Sequence, residues 1–214
     1  MAKPEQLGPY TLEQPEGMFP LGGDTLALGA FATVRPRWQV CDLGTGSGAL
    51  LLLLAGREAT LSLTGVELDS TAAQAAQNNL SINGVDGQVV CGDLRTAPLP
   101  SGQFDLVISN PPYFAAGSGK SGGSARCEET CSLDELCAAA ARLVKNGGRF
   151  ALCHRPERLT DVLCALRKHG LEPKRLKLLA HSPTKPPSTI LVEAVRQGKP
   201  GLEIAPTEYI AHFC

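Results

Sequence analysis

The sequence has almost no net charge, few aromatic residues and no long apolar segment. Its 214 residues include 20 basic and 21 acidic side chains, a formal net charge of −1, and 5% aromatic residues. A chain so close to neutrality has no overall field that would attract nucleic acid over its whole surface. No secretion signal and no bilayer-spanning apolar run are present, so we expect a cytoplasmic protein that binds no membrane.

The eight cysteines also lack a metal-binding pattern. Cysteines in a chain without a secretion signal are expected to be reduced thiols. Cys127, Cys131 and Cys137 are separated by three and five residues, and no histidine lies near them. Structural zinc sites instead combine closely paired cysteines with further cysteines or histidines. The sequence therefore predicts no metal site.

The charged residues are unevenly distributed along the chain. Residues 1–117 carry 5 basic and 11 acidic side chains, whereas residues 149–181 carry 8 basic and 3 acidic ones. The second segment could offer a local basic face to phosphates. Its candidate phosphate contacts are Arg155, Arg158, Lys174 and Arg175. A surface ion pair, such as Arg158 with Asp161, is an equally good explanation for such residues.

Short apolar runs alternate with segments of helical length over most of the chain. Strands are predicted at 38–43, 61–67, 88–91, 104–109, 149–153, 174–180 and 189–195, and helices at 24–31, 49–58, 70–82, 133–145 and 156–169. Asp24 and Ser70 are the expected N-caps of the first and third helices. This alternation implies an α/β layered sheet with right-handed crossovers. We expect one domain over 1–214, with an N-terminal arm and helix (1–37) and a Rossmann-like core (38–214).

A stiff polar turn follows the fourth predicted strand, at Asn110-Pro111-Pro112-Tyr113. Each proline fixes φ near −65° and pushes the residue before it out of the helical region. The Asn110 side chain and the Pro111 carbonyl are therefore aimed in fixed directions, and both offer acceptors to an NH2 group. Tyr113 adds a ring on which a flat base or amide can stack. Alone, this motif would equally fit a rigid strand-end turn without chemistry.

Three further strand ends carry residues suited to a ligand. The first predicted strand is followed by a glycine-rich turn, the second ends at Glu67, and the third is followed by Asp93. In open α/β sheets, ligands bind beyond the carboxyl ends of the strands. The glycine turn alone is weak evidence, since Gly44, Gly46 and Ala49 also fit a dinucleotide-binding pattern. Together with Asn110, these residues predict a ligand site at one edge of the sheet.

The four strand-end motifs resemble motifs I to IV of class I S-adenosylmethionine methyltransferases. They are Asp42-Leu43-Gly44-Thr45-Gly46-Ser47-Gly48, Gly65-Val66-Glu67-Leu68-Asp69, Gly92-Asp93 and Asn110-Pro111-Pro112-Tyr113. The acid two residues before the glycine turn, Asp42, favours this family over a dinucleotide dehydrogenase. The Asn-Pro-Pro-Tyr form is similar to that of enzymes that methylate a planar NH2 group on adenine, cytosine or glutamine.

Further segments narrow the resemblance to the bacterial tRNA(Val) adenosine-37 N6-methyltransferase family. They lie at 14–28, 110–114, 125–128, 154–159, 190–194 and 199–201, so the resemblance covers nearly the whole chain. One departure is the glycine- and serine-rich insert at 117–124, where the family is expected to contain less glycine.

The resemblance implies a Rossmann-like class I methyltransferase fold with a seven-stranded, mostly parallel sheet, a C-terminal antiparallel pair and helices on both faces. It also implies S-adenosyl-L-methionine as cofactor and RNA, tRNA in particular, as partner. Glu67 would bind the ribose hydroxyls, Asp93 the adenine amino group, and the 44–48 backbone the methionine portion. The implied cofactor-binding residues are Asp42, Gly44, Thr45, Gly46, Gly48, Glu67, Leu68, Asp93, Leu94 and Asn110, and the implied catalytic residues are Asn110, Pro111, Pro112 and Tyr113.

Two other functions stay open at this point. A protein glutamine-N5 methyltransferase shares the Asn-Pro-Pro-Tyr motif, but such enzymes usually carry a separate N-terminal helical domain, and about 24 residues precede the first helix here. A non-enzymatic RNA-binding or cofactor-sensing protein is the third possibility. The intact motif at 110–113 argues against it.

Overall fold

The fold is built around one large mixed sheet. A computed structural model of the chain describes residues 4–15, 17–18, 21–111 and 131–210. In chain order the elements are β1 (Glu5–Leu7), β2 (Tyr10–Leu12), α1 (Gly23–Phe31), β3 (Gln39–Leu43), α2 (Ala49–Arg57), β4 (Ser62–Glu67), α3 (Ser70–Ile82), β5 (Gly87–Cys91), β6 (Phe104–Ser109), α4 (Leu133–Leu143), β7 (Val144–His154), a 3₁₀ turn (Pro156–Arg158), α5 (Leu159–Lys168), β8 (Leu171–Ala180), β9 (Thr189–Arg196), β10 (Glu203–Ile204) and β11 (Glu208–Tyr209).

The sheet contains nine strands in the order β10-β8-β9-β7-β6-β3-β4-β5, with β11 also paired to β8. All pairs are parallel except those that β9 makes with β7 and β8. The α/β architecture and the closing antiparallel pair are thus confirmed. The predicted count of seven strands was too low, because β10 and β11 have two residues each and show no apolar alternation.

Helices cover both faces of this sheet. One buried cluster includes Leu28 of α1, Leu52 of α2 and Leu80 of α3. A second cluster on the opposite face includes Ala140 of α4 and Leu166 of α5. Each of these five side chains is 0% exposed. Both faces of the parallel strands are therefore shielded from water.

Both predicted N-caps were wrong by one residue or more. α1 begins at Gly23 with Gly22 as N-cap, and Asp24 instead accepts a hydrogen bond from Thr189 Oγ1 at 3.0 Å. α3 is capped by Asp69, whose Oδ1 accepts from Ala72 N at 2.9 Å. An aspartate at this position also places negative charge against the positive helix end. Ser70 is therefore the first residue inside the helix.

The boundary between α4 and β7 also differs from the prediction. α4 ends at Leu143 and β7 starts at once, because Val144 pairs with Phe104 of β6. The register then shifts, and Arg149 pairs with Leu106. Gly147, with φ of +77°, lies within the shifted segment. The glycines expected to end the helix instead form an irregularity inside the strand.

A buried acid, Glu193 on β9, connects α1 to strands β7 and β8. The residue is 0% exposed, and its Oε1 lies 2.7 Å from Arg149 Nη1 and 3.2 Å from Arg175 Nη1. Thr33 donates its backbone N–H to Oε2 at 2.8 Å and its hydroxyl to Oε1 at 2.9 Å. The Arg175 guanidinium also lies over the Phe31 ring, 4.4 Å from its centroid. Arg175, suggested from the sequence as a phosphate contact, thus forms an ion pair with a buried carboxylate, and phosphate binding by it stays a prediction.

Loss of the Glu193 carboxylate should destabilise the fold strongly. Glu193→Ala leaves two guanidinium groups without their shared counter-charge, at an expected cost of about 3–5 kcal/mol in the free energy of unfolding. Urea unfolding followed by circular dichroism measures it. The control is Glu208→Ala, which breaks the exposed Lys177–Glu208 pair and should barely move the midpoint. Equal shifts for the two variants would contradict this assignment.

Candidate functional site

Four adjacent parallel strands bring the predicted site residues to one edge of the sheet. β6, β3, β4 and β5 are neighbours and run in the same direction. Asp42 is in register with Gly65 and Ile108, and Glu67 is in register with Cys91. The segments that follow these strands therefore meet at their carboxyl ends, as the sequence predicted.

The glycine turn after β3 is held to β4 by backbone hydrogen bonds. Gly44 N and Thr45 N both donate to Val66 O, at 2.8 and 3.1 Å. Gly48 has φ of +85°, and a Cβ there would lie 3.3 Å from the Cβ of Ala76 on α3. A side chain at 48 would thus be strained in conformation and crowded by α3. At Gly44, by contrast, a Cβ would meet nothing within 4 Å, so a ligand could approach that backbone closely.

Glu67, at the end of β4, stabilises the glycine turn by hydrogen bonding. Its Oε2 accepts from Gly46 N at 2.8 Å, and its Oε1 accepts from Asp69 N at 2.9 Å. An ionised carboxylate has about four acceptor positions, so these two bonds leave it able to accept from a diol as well. Leu68 follows with 56% of its surface exposed, which is unusual for a large apolar side chain.

Asp42 is a buried acid beside the same turn. It is 1% exposed, and its Oδ2 accepts from Thr45 Oγ1 at 2.7 Å. Its Oδ1 is buried and has no hydrogen-bond partner among the residues that the structure describes. Burial raises the pKa of Asp42 to about 7; the Thr45 bond opposes this, and the Glu67 charge adds to it. Such an atom requires a partner, and a cationic ligand group would supply one.

Asp93 is engaged in an ion pair that the sequence analysis missed. Arg95 Nε donates to both Asp93 carboxylate oxygens, at 3.0 and 2.9 Å, and Arg95 Nη1 lies 3.0 Å from Glu135 at the start of α4. The hydrogen bonds from Arg95 lower the pKa of Asp93. The spacing of Asp93 and Arg95, two residues apart, was the available signal. Leu94 between them packs against the core cluster that contains α4 and α5.

Asn110 is held by side chains from two distant segments. Its Nδ2 donates to Thr25 Oγ1 at 2.8 Å, and Cys153 Sγ donates to its Oδ1 at 2.9 Å. The preceding Ser109 donates its hydroxyl to Leu43 O at 2.7 Å, which ties the end of β6 to β3. No local pattern in the sequence indicates these two contacts of Asn110. Pro111 is half-buried, whereas Pro112 and Tyr113 lie outside the described residues.

The N-terminal arm is held beside the site by Asn79 of α3 and by Asn83, the C-cap of that helix. Asn79 exchanges hydrogen bonds with the backbone of Glu13, accepting at 2.9 Å and donating at 2.8 Å, and also donates to Ser47 O at 2.9 Å. Asn83 holds the Thr11 backbone in the same way, accepting at 2.8 Å and donating at 2.7 Å. Each amide satisfies a backbone N–H and a backbone C=O of the arm. The arm therefore forms a wall beside the glycine turn.

Several basic side chains of the predicted basic face form ion pairs within the molecule. Arg158 Nε lies 2.6 Å from Asp161, Arg167 pairs with Glu172, and Lys168 pairs with Asp134. The ion-pair alternative is thus the one found for Arg158. Over the described part of the chain, no group of three or more His, Cys, Asp or Glu side chains could hold a metal. No helix in that same part is long and apolar enough to cross a bilayer.

The chain is similar in sequence to a methyltransferase family and to tRNA methyltransferases of bacteria. The family model described as Methyltransferase small domain matches residues 23–163. The chain is 32% identical over 197 residues to the tRNA1(Val) (adenine(37)-N6)-methyltransferase of Porphyromonas gingivalis, covering 86% of this chain and 77% of that protein. It is 36% identical over 155 residues to the protein of that name from Aeromonas hydrophila, covering 71% and 66%.

Solved structures share the fold at lower identity. A "predicted O-methyltransferase" from Agrobacterium tumefaciens has a TM-score of 0.73 and 21% identity, covering 87% of this chain and 86% of that one. A SAM dependent methyltransferase from Aquifex aeolicus has a TM-score of 0.60 and 15% identity, covering 81% and 89%. The family match, the sequence relatives and the strand-end geometry agree. The predicted resemblance is confirmed, and the chain belongs to the methyltransferase small domain family, among the class I S-adenosylmethionine-dependent methyltransferases.

Proposed function

We propose that this methyltransferase transfers a methyl group from S-adenosylmethionine to N6 of an adenine in tRNA. The observation that carries the proposal is the Asn110 amide, held by two side chains at the sheet edge where the glycine turn and Glu67 lie. The curated relatives with the name tRNA1(Val) (adenine(37)-N6)-methyltransferase support the choice of acceptor. A tRNA substrate also fits the cytoplasmic location expected from the sequence.

The residues present fit this cofactor. S-adenosylmethionine, when bound, supplies an electrophilic methyl group on a positively charged sulfonium. The open backbone at Gly44 gives close approach, and the Glu67 carboxylate accepts from the ribose hydroxyls. The buried Oδ1 of Asp42 receives the positive end of the ligand. The neighbouring backbone also lines the cofactor site, at Thr45, Gly46, Gly48 and Leu68.

We propose that Asp93 keeps the role expected from the resemblance, although Arg95 already binds both of its oxygens. We infer that Asp93 accepts from the cofactor's adenine amino group at an oxygen that it shares with Arg95, whose backbone N, Nε and Nη2 all donate to this carboxylate and keep it ionised and fixed in direction. The packing of the Leu94 side chain against the core leaves its backbone as the part that faces the ligand. This arrangement joins the adenine end of the site to Glu135 on α4.

The acceptor nitrogen is held where the methyl group arrives. Asn110 Oδ1 and the Pro111 carbonyl accept the two N–H bonds of an exocyclic amino group, which favours a pyramidal nitrogen. Transfer moves positive charge onto this nitrogen, and fixed acceptor dipoles stabilise that charge. The proton can leave after transfer, so no general base is needed beforehand. The roles expected from the sequence for Tyr113, stacking on the base, and for Pro112 in the same motif stay predictions.

We further propose that residues 1–214 act as one methyltransferase domain. The arm contacts α3 through Asn79, and α1 contacts the acceptor side through Thr25 and Asn110. The expected segment 1–37 therefore contributes walls to the same site as the 38–214 core. A segment 1–37 with a separate function would not need hydrogen bonds to both Asn79 and Asn110.

A label-transfer experiment separates the candidate acceptors. The protein is incubated with methyl-tritiated cofactor and either bulk tRNA or a purified release factor, and the product is digested to nucleosides or amino acids. We expect label in N6-methyladenosine and none in the release factor. Label in glutamine would favour the protein methyltransferase, and label in neither would favour a non-enzymatic binder. Heat-denatured protein is the background control.

Asn110→Ala should slow methyl transfer far more than it weakens cofactor binding. Loss of one charge-stabilising partner is expected to reduce the single-turnover rate by about 10²–10³. Calorimetry with S-adenosylmethionine gives the binding constant of the same preparation. Rates within a factor of about three of wild type would remove Asn110 from the catalytic step.

The affinity for S-adenosylmethionine should rise with pH because of Asp42. The ionised acid binds a cationic ligand better, and with a pKa of about 7 the ionised fraction grows roughly tenfold between pH 6 and pH 8. The folded chain also retains this proton when the unfolded chain has lost it. Its free energy of unfolding without cofactor should therefore fall as pH rises from about 4 to about 7.

Asp42→Asn tests both consequences together. The variant should bind the cofactor more weakly at pH 8, with a flatter pH dependence, and should lose less stability than wild type as pH rises. Calorimetry and urea unfolding at pH 6 and pH 8 measure the two effects. Asp86→Asn, at an exposed acid before β5, is the matched control and should behave as wild type. An unchanged pH dependence in Asp42→Asn would refute the assignment.

A further inference from the structure

Two buried or half-buried side chains fix the Asn110 amide at both of its ends. The amide nitrogen donates to Thr25 Oγ1 at 2.8 Å, and the amide oxygen accepts from Cys153 Sγ at 2.9 Å. Thr25 is 85 residues and Cys153 is 43 residues away in the chain. Neither residue belongs to the Asn-Pro-Pro-Tyr motif. Their only shared partner among these contacts is the side chain at 110.

Thr25 lies in the first turn of α1, and a hydrogen bond connects that turn to the sheet. The neighbouring Asp24 accepts from Thr189 Oγ1 at 3.0 Å, which ties the helix start to β9. Asp24 is not the N-cap of α1, so its contact with Thr189 serves the placement of the helix rather than its initiation. Asp24 and Thr25 thus make two separate contacts. Asp24 anchors the turn, and Thr25 reaches the amide.

Cys153 lies on β7, the strand next to β6. Ser109 is in register with Leu152, so the residues that follow each of them, Asn110 and Cys153, are side by side. Cys153 is 0% exposed, and its strand is paired on the other side with β9 through Leu191. A side chain held between two strands on a buried face has little freedom to move away from the amide.

This pair of contacts distinguishes the two ends of the amide. A thiol is a weak donor and a weak acceptor, so a rotated amide would set its N–H2 group against a poor acceptor. The observed orientation gives the thiol an oxygen and the amide N–H a hydroxyl oxygen. A carbonyl oxygen accepts two hydrogen bonds, so it can hold the thiol and a substrate N–H together. The orientation therefore presents the acceptor end of Asn110 to the substrate.

We infer that Thr25 and Cys153 are positioning residues that set the orientation of the Asn110 amide for the acceptor amino group. The inference rests on the proposed role of Asn110. Without Thr25 the amide nitrogen loses a hydroxyl acceptor, and without Cys153 the amide oxygen loses a thiol donor. Both losses lower the fraction of molecules in which Oδ1 faces the substrate. They reduce the transfer step and leave cofactor binding in place.

The test measures single-turnover methyl transfer to tRNA, cofactor affinity by calorimetry, and the urea midpoint for each variant. Thr25→Val, which removes the hydroxyl at nearly constant volume, should slow transfer by about tenfold with unchanged cofactor affinity. Thr25→Ser should restore most of the rate, since it returns the hydroxyl. Cys153→Ala should slow transfer in the same way, with Cys153→Ser as its rescue. Thr60→Val, at an exposed threonine before β4, is the matched control.

A double-mutant cycle decides whether the two residues act through Asn110. In the Asn110→Ala background, Thr25→Val and Cys153→Ala should have no further effect on the rate. Additive losses there would overturn the inference, as would wild-type rates in the folded single variants. If Asn110→Ala itself transfers methyl at the wild-type rate, the proposed role of Asn110 fails instead. A variant with a lowered urea midpoint is judged by its rescue variant, whose failure to recover the rate also counts against the inference.

Discussion

The common direction of β6, β3, β4 and β5 is the constraint on which the site depends. Parallel strands in one sheet end at the same edge, so polar groups that follow each strand are gathered without any need to be close in sequence. The apolar bodies of the strands stay buried between the two core clusters. Asp42, Glu67, Asp93 and Asn110 are the residues gathered in this way.

The gathered residues are not independent, because each also stabilises the edge that it occupies. Glu67 holds Gly46, Asp42 holds Thr45, and Ser109 beside Asn110 holds Leu43. A Cβ at Gly65 of β4 would lie 2.8 Å from Thr45 Cγ2, so the turn and the strand beneath it fit with no space between them. A substitution at one of these positions therefore changes the shape of the edge as well as the contact with a ligand. Matched isosteric variants are required for that reason.

Local sequence was sufficient for the seven longer strands of the sheet and for placing the predicted site residues at one edge of it. Glycine, acid and proline positions there act through backbone geometry, which a short motif determines. Sequence was insufficient where two side chains meet across the fold. Thr25 and Cys153 at Asn110, and Arg149 and Arg175 at Glu193, are long-range pairs that no local periodicity predicts. The two helix caps were wrong for separate reasons: Asp24 makes a tertiary contact with Thr189 instead of capping α1, and at α3 the adjacent Asp69 takes the position expected for Ser70.

A crystal structure with bound S-adenosylhomocysteine tests the central claim most directly, since this reaction product keeps every part of the cofactor except the methyl group. The account predicts that the ligand lies beyond the carboxyl ends of β3, β4 and β5, with its ribose hydroxyls on Glu67. Its amino group should lie near Asp42, and its sulfur should face Asn110. A ligand bound at the opposite edge, in the cleft lined by Gln39, Ser62 and Gln103, would contradict the account.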